Sequence, residues 1–221
     1  MPTFSGNLGL SNNAILYVDK NLREDYKGNN YTKGYRLIDN DATYSFATKL
    51  TTAGTLHTVI ADAGLDPANL IELSIEGSIN GTDVDFLHSS FPVLMSLDLS
   101  KATIVSGGDS YHRWNVANDG TATKNTSYTY NTEDNIVGDY MFYNMPFLEK
   151  LVLPQNVIKV GKYAVANCPN LAQINPFPST VKLIDEYAFY KNNHNRNCFT
   201  EITFGAALDS IARYAFYCSN I

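Results

Sequence analysis

The residues able to do chemistry in this chain are few and scattered. Its four histidines, His57, His88, His112 and His194, form no H-E-x-x-H and no close pair, and G-x-S-x-G, Walker and G-x-G-x-x-G patterns are missing. His57 and His88 fall on amphipathic stretches, where an imidazole is packed or solvated. The segments "DND" at Asp39 to Asp41 and "NGTDVD" at Asn80 to Asp85 carry oxygen ligands suited to calcium. Neither supplies the terminal Glu of a ligand loop, so capping and turn formation explain them better. Cys168 could act as a nucleophile only with His194 brought to it through space. What remains is binding chemistry. Tyr111, His112, Trp114, Tyr128 and Tyr130 concentrate aromatics, including the only tryptophan, in an otherwise polar stretch. Exposed aromatics on a loop carried by a rigid scaffold build interface hot spots and sugar-stacking sites. The same rings folded back would cover the scaffold's flank, and this second reading has the edge because loops of such length need a small core of their own.

The elements that position these residues must come from a chain of 221 residues with 44% apolar content, enough for one large domain or two small ones. A charged fraction of 17% and a net charge of −6 leave no basic stripe, so nucleic acid is not an expected partner. No stretch approaches roughly 18 consecutive apolar residues, so no membrane insertion is expected of this segment. The start, "MPTFSGNLGL", lacks the basic segment and apolar core of a secretory signal, which a mature protein would also have lost. Cys168, Cys198 and Cys218 form no C-x-x-C pair. They read as small buried thiols, and neither a zinc site nor any other cofactor is expected.

The organising signal is a repeat. "GDYMFYN", "GKYAVAN", "EYAFYKN" and "RYAFYCS" place tyrosines at 140, 163, 187 and 214, at spacings of 23, 24 and 27 residues. An offset pattern shares that period: "LEKLVLP" from Leu148, "LAQINPF" from Leu171, "FTEITFG" from Phe199 and a truncated start at Ile221. Each unit reads as a short strand with alternating apolar positions, a turn, and then V-x-x-I/V-G/D-x-Y-A-F. "LIELSIEGSI" from Leu70 and "LMSLDLSKATI" from Leu94 repeat the strand 24 residues apart, and 54 residues separate Leu94 from Leu148. The excess is an insertion, residues 106–135, whose Gly, Ser, Thr and Asn content reads as loop, with a hairpin where "TSYTY" alternates.

This array resembles a leucine-rich repeat, and over 136–221 it resembles the BspA-like family specifically. Leu148, Leu151, Leu153, Pro154, Val157, Val160, Gly161, Ala164, Cys168 and Leu171 fit the family pattern. Val165 stands in place of Phe, Asp185 and Ala212 in place of Gly, and "KNNHNRN" is inserted after Tyr190. The resemblance implies an α+β/β solenoid: a right-handed leucine-rich-repeat coil with short strands, an irregular or short-helical convex side, and helical N-terminal capping segments. It also implies outward rows Glu72, Ser96, Lys150, Gln173, Glu201 and Ser74, Asp98, Val152, Asn175, Thr203. From these rows Lys150, Gln173, Asn175, Glu201 and Thr203 join the insertion's rings as candidate contacts. The implied function is a noncatalytic adhesion module, exported to a bacterial surface, that binds a protein or glycan of a host or neighbouring cell. The alternative is a structural spacer in a larger surface protein; an enzyme is not expected.

Residues 1–40 form a separate segment, in which "AILYVDKNLREDYKGNNYTKGYRLI" (14–38) is similar to the element that commonly closes a BspA-like array, with Asp19 in place of Pro. This hints at a fragment of a longer protein. Residues 41–105 read as a helical cap and irregular repeat units. Leu56, Val59 and Ile60 share one helical face before Gly64 and Pro67, and a second helix starts from Thr82 or Asp83 as N-cap. No single unit can fold alone. About six buried side chains at roughly 1.5 to 3 kcal/mol each do not offset backbone ordering at about 1 to 2 kcal/mol per residue. Stacking is therefore obligatory, and the uncapped end near Phe216 to Ile221 is expected to fray or to associate end to end.

Overall fold

The structure, a computed structural model, describes residues 14–27, 35–40, 42–116, 122–174, 176–191, 199 and 201–217. Strands β1 (Ile15–Val18) and β2 (Arg36–Asp39) pair in parallel around a short helix α1 (Arg23–Lys27). Next come β3 (Ser45–Leu50), α2 (Leu56–Asp62), β4 (Glu72–Ile79), α3 (Gly81–Ser90) and β5 (Ser96–Ile104). An antiparallel hairpin of β6 (Tyr111–Val116) and β7 (Ala122–Tyr130) occupies the insertion. The remaining strands are short: β8 (Ile136–Val137), β9 (Lys150–Val152), β10 (Lys159–Val160), β11 (Leu183–Ile184) and β12 (Ser210–Ile211).

Two parallel four-stranded sheets carry the repeat, one in the order β3-β4-β5-β9 and one in the order β12-β11-β10-β8. The first follows the expected leucine strands, and a bridge from Lys150 to Gln173 adds a fifth rung. The second comes from the V-x-x-I/V positions, which follow the turn in each unit and to which the sequence pattern assigned no strand. The coils that carry β5 with β8 and β9 with β10 thus contribute a strand to each sheet, whereas those of β3 and β4 return through α2 and α3.

Backbone hydrogen bonds lock the coils in register. In the first sheet two successive N–H groups of one coil donate to a single carbonyl of the preceding coil. Ile71 and Glu72 reach Tyr44 O at 2.7 and 3.0 Å, Met95 and Ser96 reach Ile71 O at 2.8 and 3.0 Å, and Glu149 and Lys150 reach Met95 O at 2.8 and 3.0 Å. The last pair spans the insertion, so the hairpin is looped out without breaking the stack. In the tyrosine turns the direction reverses: Tyr140 N reaches Lys162 O at 3.0 Å, Phe142 N reaches Ala164 O at 2.7 Å, and Phe189 N reaches Ala215 O at 2.7 Å.

The interior is one apolar cluster running from Leu50 to Ala215, with Leu73, Leu97 and Leu151 aligned across the first sheet and Val137, Val160 and Ile184 across the second. Ala164, Ala188 and Ala215 are the small positions beneath the turns, and the Phe189 and Phe216 rings stack at 4.9 Å with a 6° interplanar angle. Tyr140, Tyr163, Tyr187 and Tyr214 all adopt left-handed backbone, with φ between 52° and 62°. That conformation costs a non-glycine residue about 1 to 2 kcal/mol. Their rings form a column, with centroids 5.1, 4.9 and 5.1 Å apart along the chain. Each aromatic pair contributes about 0.5 to 1.5 kcal/mol and is shared by two rings, so the column offsets part of this backbone strain.

Two details differ from expectation. The helix with Leu56, Val59 and Ile60 does not precede the first strand; α2 follows β3 and lies on the first coil's return path. The N-cap of α3 is Asn80 rather than Thr82 or Asp83, because Asp83 occupies the third helical position of a capping box. Asp83 also accepts from the N–H groups of Gly54 and Leu56, which ties the start of α2 to the start of α3. Substituting Phe189→Ala should cost about 3 to 5 kcal/mol in chemical denaturation, and a loss below about 1 kcal/mol would refute its place in the stack.

Candidate functional site

The insertion folds back. Tyr111 is fully buried and Trp114 is 7% exposed, which corrects the reading of these two as exposed contact groups, while Tyr130 and His112 are half-buried. Only Tyr128 of the five projects, at 47% exposure, with the Arg113 guanidinium 4.2 Å from its ring centre. The physical reason is the open edge of the tyrosine-bearing coils. In later coils the carbonyls one before and one after the tyrosine accept N–H groups from the preceding coil. At Tyr140 these carbonyls are Asp139 O and Met141 O. The Tyr111 hydroxyl donates to Asp139 O at 2.8 Å, and His88 Nε2 lies 2.9 Å from Met141 O. Side chains thereby replace the backbone donors that a tyrosine turn in the preceding coil would supply, where α3 stands instead. Tyr111 and Tyr130 also extend the ring column, with steps of 5.7 Å between them and 5.3 Å on to Tyr140. Gly138 makes this possible, since a Cβ there would collide with the Tyr111 hydroxyl.

Asp85 pins the hairpin to α3. Its Oδ1 accepts from His112 N at 3.1 Å and Trp114 Nε1 at 3.1 Å and lies 3.0 Å from His112 Nδ1, while Oδ2 accepts from Lys124 Nζ at 2.7 Å. Burial would raise this carboxyl's pKa, yet the hydrogen bonds from Lys124, His112 and Trp114 prevail and hold it below the ordinary range. His88 stacks on Trp114 at 6.4 Å and 6°. A carbonyl only accepts, so Nε2 carries the proton in the bond to Met141. Burial holds the His88 pKa below its ordinary value. Asp85 and His88 lay in view in the sequence, but a carboxylate and an imidazole on a helix carry no local sign of the hairpin that they fasten.

The candidate contact rows divide. Lys150 and Gln173 line an open groove of about 470 Å³ on the first sheet, together with Ser45, Ala47, Glu72, Ser74, Ser96 and Asp98. Ser45 and Ala47, one coil before Glu72, were missed because β3 lacks the L-x-x-L-x-L signature. Val152 does not project, being 4% exposed. Glu201 and Thr203 are exposed coil beyond the strands, and Asn175 lies outside the described residues. Asp41, His194, Cys198, Cys218 and Ile221 lie outside them as well. Cys168 is buried with its thiol pushed up to about 12, chiefly by that burial, so it is no nucleophile at neutral pH. Among the described residues, no group of three or more His, Cys, Asp or Glu is placed to hold a metal ion, and no helix is long and apolar enough to cross a membrane.

These coils have a counterpart among known families. Residues 135–221 match the family model of the BspA type leucine rich repeat region, in six copies. The BspA-type resemblance holds over that stretch. It begins where β8 opens the second sheet and includes every tyrosine of the repeated turn. No curated protein matches the chain. Among solved structures, one similar chain is the pneumococcal vaccine antigen PcpA, at 14% identity over 84% of this chain and 50% of that one, with a TM-score of 0.26. The chain thus spans about half the length of that protein.

The buried, neutral His88 sets a sign for pH dependence. Its folded pKa is depressed, so the unfolded chain takes up a proton first. The stability it contributes is complete above about pH 6.5 and declines as pH falls below that value, by at most about 1.4 kcal/mol per pH unit. Urea titrations from pH 7.5 to 5 should show this decline in the wild type and a shallower one in His88→Gln, which keeps a donor but does not titrate. Parallel profiles would refute the assignment.

Proposed function

We propose that this chain is a noncatalytic binding module of a bacterial surface repeat protein. In this reading its two sheets are faces of one right-handed solenoid, displayed outside the cell, and adhesion to a protein or glycan of a host or neighbouring cell runs through the first sheet. The groove of about 470 Å³ across five coils carries the reading, because it is concave, mixed in polarity and built on register-locked strands. The BspA-type repeat over 135–221 supports surface display. Tyr128, exposed on the hairpin, remains a secondary contact. Association through the last described coil is a further proposal: Ile211 is 47% exposed where the equivalent Ile184 is fully buried. Burial of Tyr111 and Trp114 favours one competing reading, a spacer without its own ligand, since it removes most of the aromatic contact surface.

Ser96→Trp fills the groove from an outward position without touching the interior. On a broad protein and glycan panel, it should lower capture more than about tenfold with unchanged unfolding, while Tyr128→Ala has a smaller effect. Capture that survives Ser96→Trp would contradict the groove, and no capture by the wild type would favour the spacer.

A further inference from the structure

We infer that the first-sheet groove takes an extended peptide segment bearing a lysine or arginine side chain, seated across the strands of successive coils. The inference rests on the proposed binding role of this face and adds the chemistry of the partner. Three carboxylates, Glu72, Asp98 and Glu149, line the groove against one cation, Lys150. The neighbouring outward row, Lys49, Glu76 and Lys101, carries two cations against one carboxylate and so cancels only part of the excess, and Lys49 within it is paired with Glu76. That pairing holds the Glu76 carboxyl below its ordinary pKa. Asp98 keeps one oxygen on Ser100 N at 2.8 Å and has a second lone-pair-bearing oxygen for an incoming donor.

The floor is shaped for a main chain rather than a bulky ring. Ser45, Ala47, Ser74 and Ser96 are small, and the taller Glu72, Glu149 and Lys150 rise between them. Five rungs at about 4.8 Å span about 19 Å, the length of roughly six residues of extended chain. A cation lying among three carboxylates in a partly enclosed groove is less screened than one on an open surface, so the attraction contributes to selection and not only to encounter. Serine hydroxyls are available for the peptide's backbone groups, which fixes the segment without demanding one sequence.

Fluorescence anisotropy with end-labelled hexapeptides carrying two Lys, two Glu or neither tests this directly. The lysine peptide should bind the wild type at least about tenfold tighter than the glutamate peptide and weaken as salt rises. Its affinity should fall at least about tenfold in the double variant Glu72→Gln, Glu149→Gln, and binding should vanish in Ser96→Trp. Equal binding of the three peptides, or a lysine peptide indifferent to the double variant, overturns the cationic partner. If that indifference or equality persists while Ser96→Trp still blocks binding, the charge inference fails and the groove reading stands. Peptide binding that survives Ser96→Trp overturns both. No peptide binding at all overturns the peptide partner, and glycan capture sensitive to Ser96→Trp would then keep the groove.

Discussion

The structure depends on backbone hydrogen bonding from coil to coil. A unit of about 24 residues buries too little to order itself, so each coil exists because its neighbours complete its strands and cover its apolar side chains. The register is regular: at the start of each first-sheet strand after β3 two N–H groups point back to one carbonyl of the preceding coil, and N–H groups of the tyrosine turns point forward to the next. The tyrosine turns show how far this constraint reaches. A left-handed tyrosine is poor local chemistry, yet four of them recur because the turn aims each ring at the one above and below.

A stack of this kind leaves polar groups open at its ends. Where the tyrosine-bearing coils begin, the answer is not another coil. Tyr111 from the hairpin and His88 from α3 supply donors to Asp139 O and Met141 O, and two more tyrosines extend the ring column. The insertion is therefore part of the scaffold's closure. Its docking is held by one carboxylate, Asp85, which receives donors from three side chains and one backbone N–H. At the start of the described chain a related task falls to Arg23, whose guanidinium donates to Asn69 Oδ1 at 3.0 Å and Leu37 O at 3.2 Å, joining the β1–β2 segment to the first coils.

Much of this was legible in the sequence. The period, the leucine strands, the aligned Phe189 and Phe216 and the tyrosine column all follow from side chains that recur in register, and recurrence is visible without coordinates. The second sheet was not, because two residues per coil are too short to show alternation. β3 was hidden by its sequence, "SFATKL", which lacks the leucines of its neighbours. The insertion's aromatics were read as two alternatives, and what decided between them was nonlocal: Gly138 and Asp139 lie 27 and 28 residues beyond Tyr111. The groove shows the same limit. Lys150 and Gln173 could be placed by period, whereas its far wall of Ser45 and Ala47 could not.

The central claim is that side chains of the insertion finish the edge that a preceding tyrosine turn would otherwise cover. A double-mutant cycle on Tyr111→Phe and Gly138→Ala measures it most directly. An alanine Cβ at position 138 would collide with the Tyr111 hydroxyl but stand 3.5 Å from the ring carbon Cζ, an ordinary contact. Gly138→Ala alone should destabilise by about 1 to 3 kcal/mol through overpacking, and Tyr111→Phe alone by about 1 kcal/mol through the lost hydrogen bond. Together they should cost less than the sum by at least about 0.5 to 1 kcal/mol. Additive losses would contradict the account, because the hydroxyl and the glycine would then not share one site.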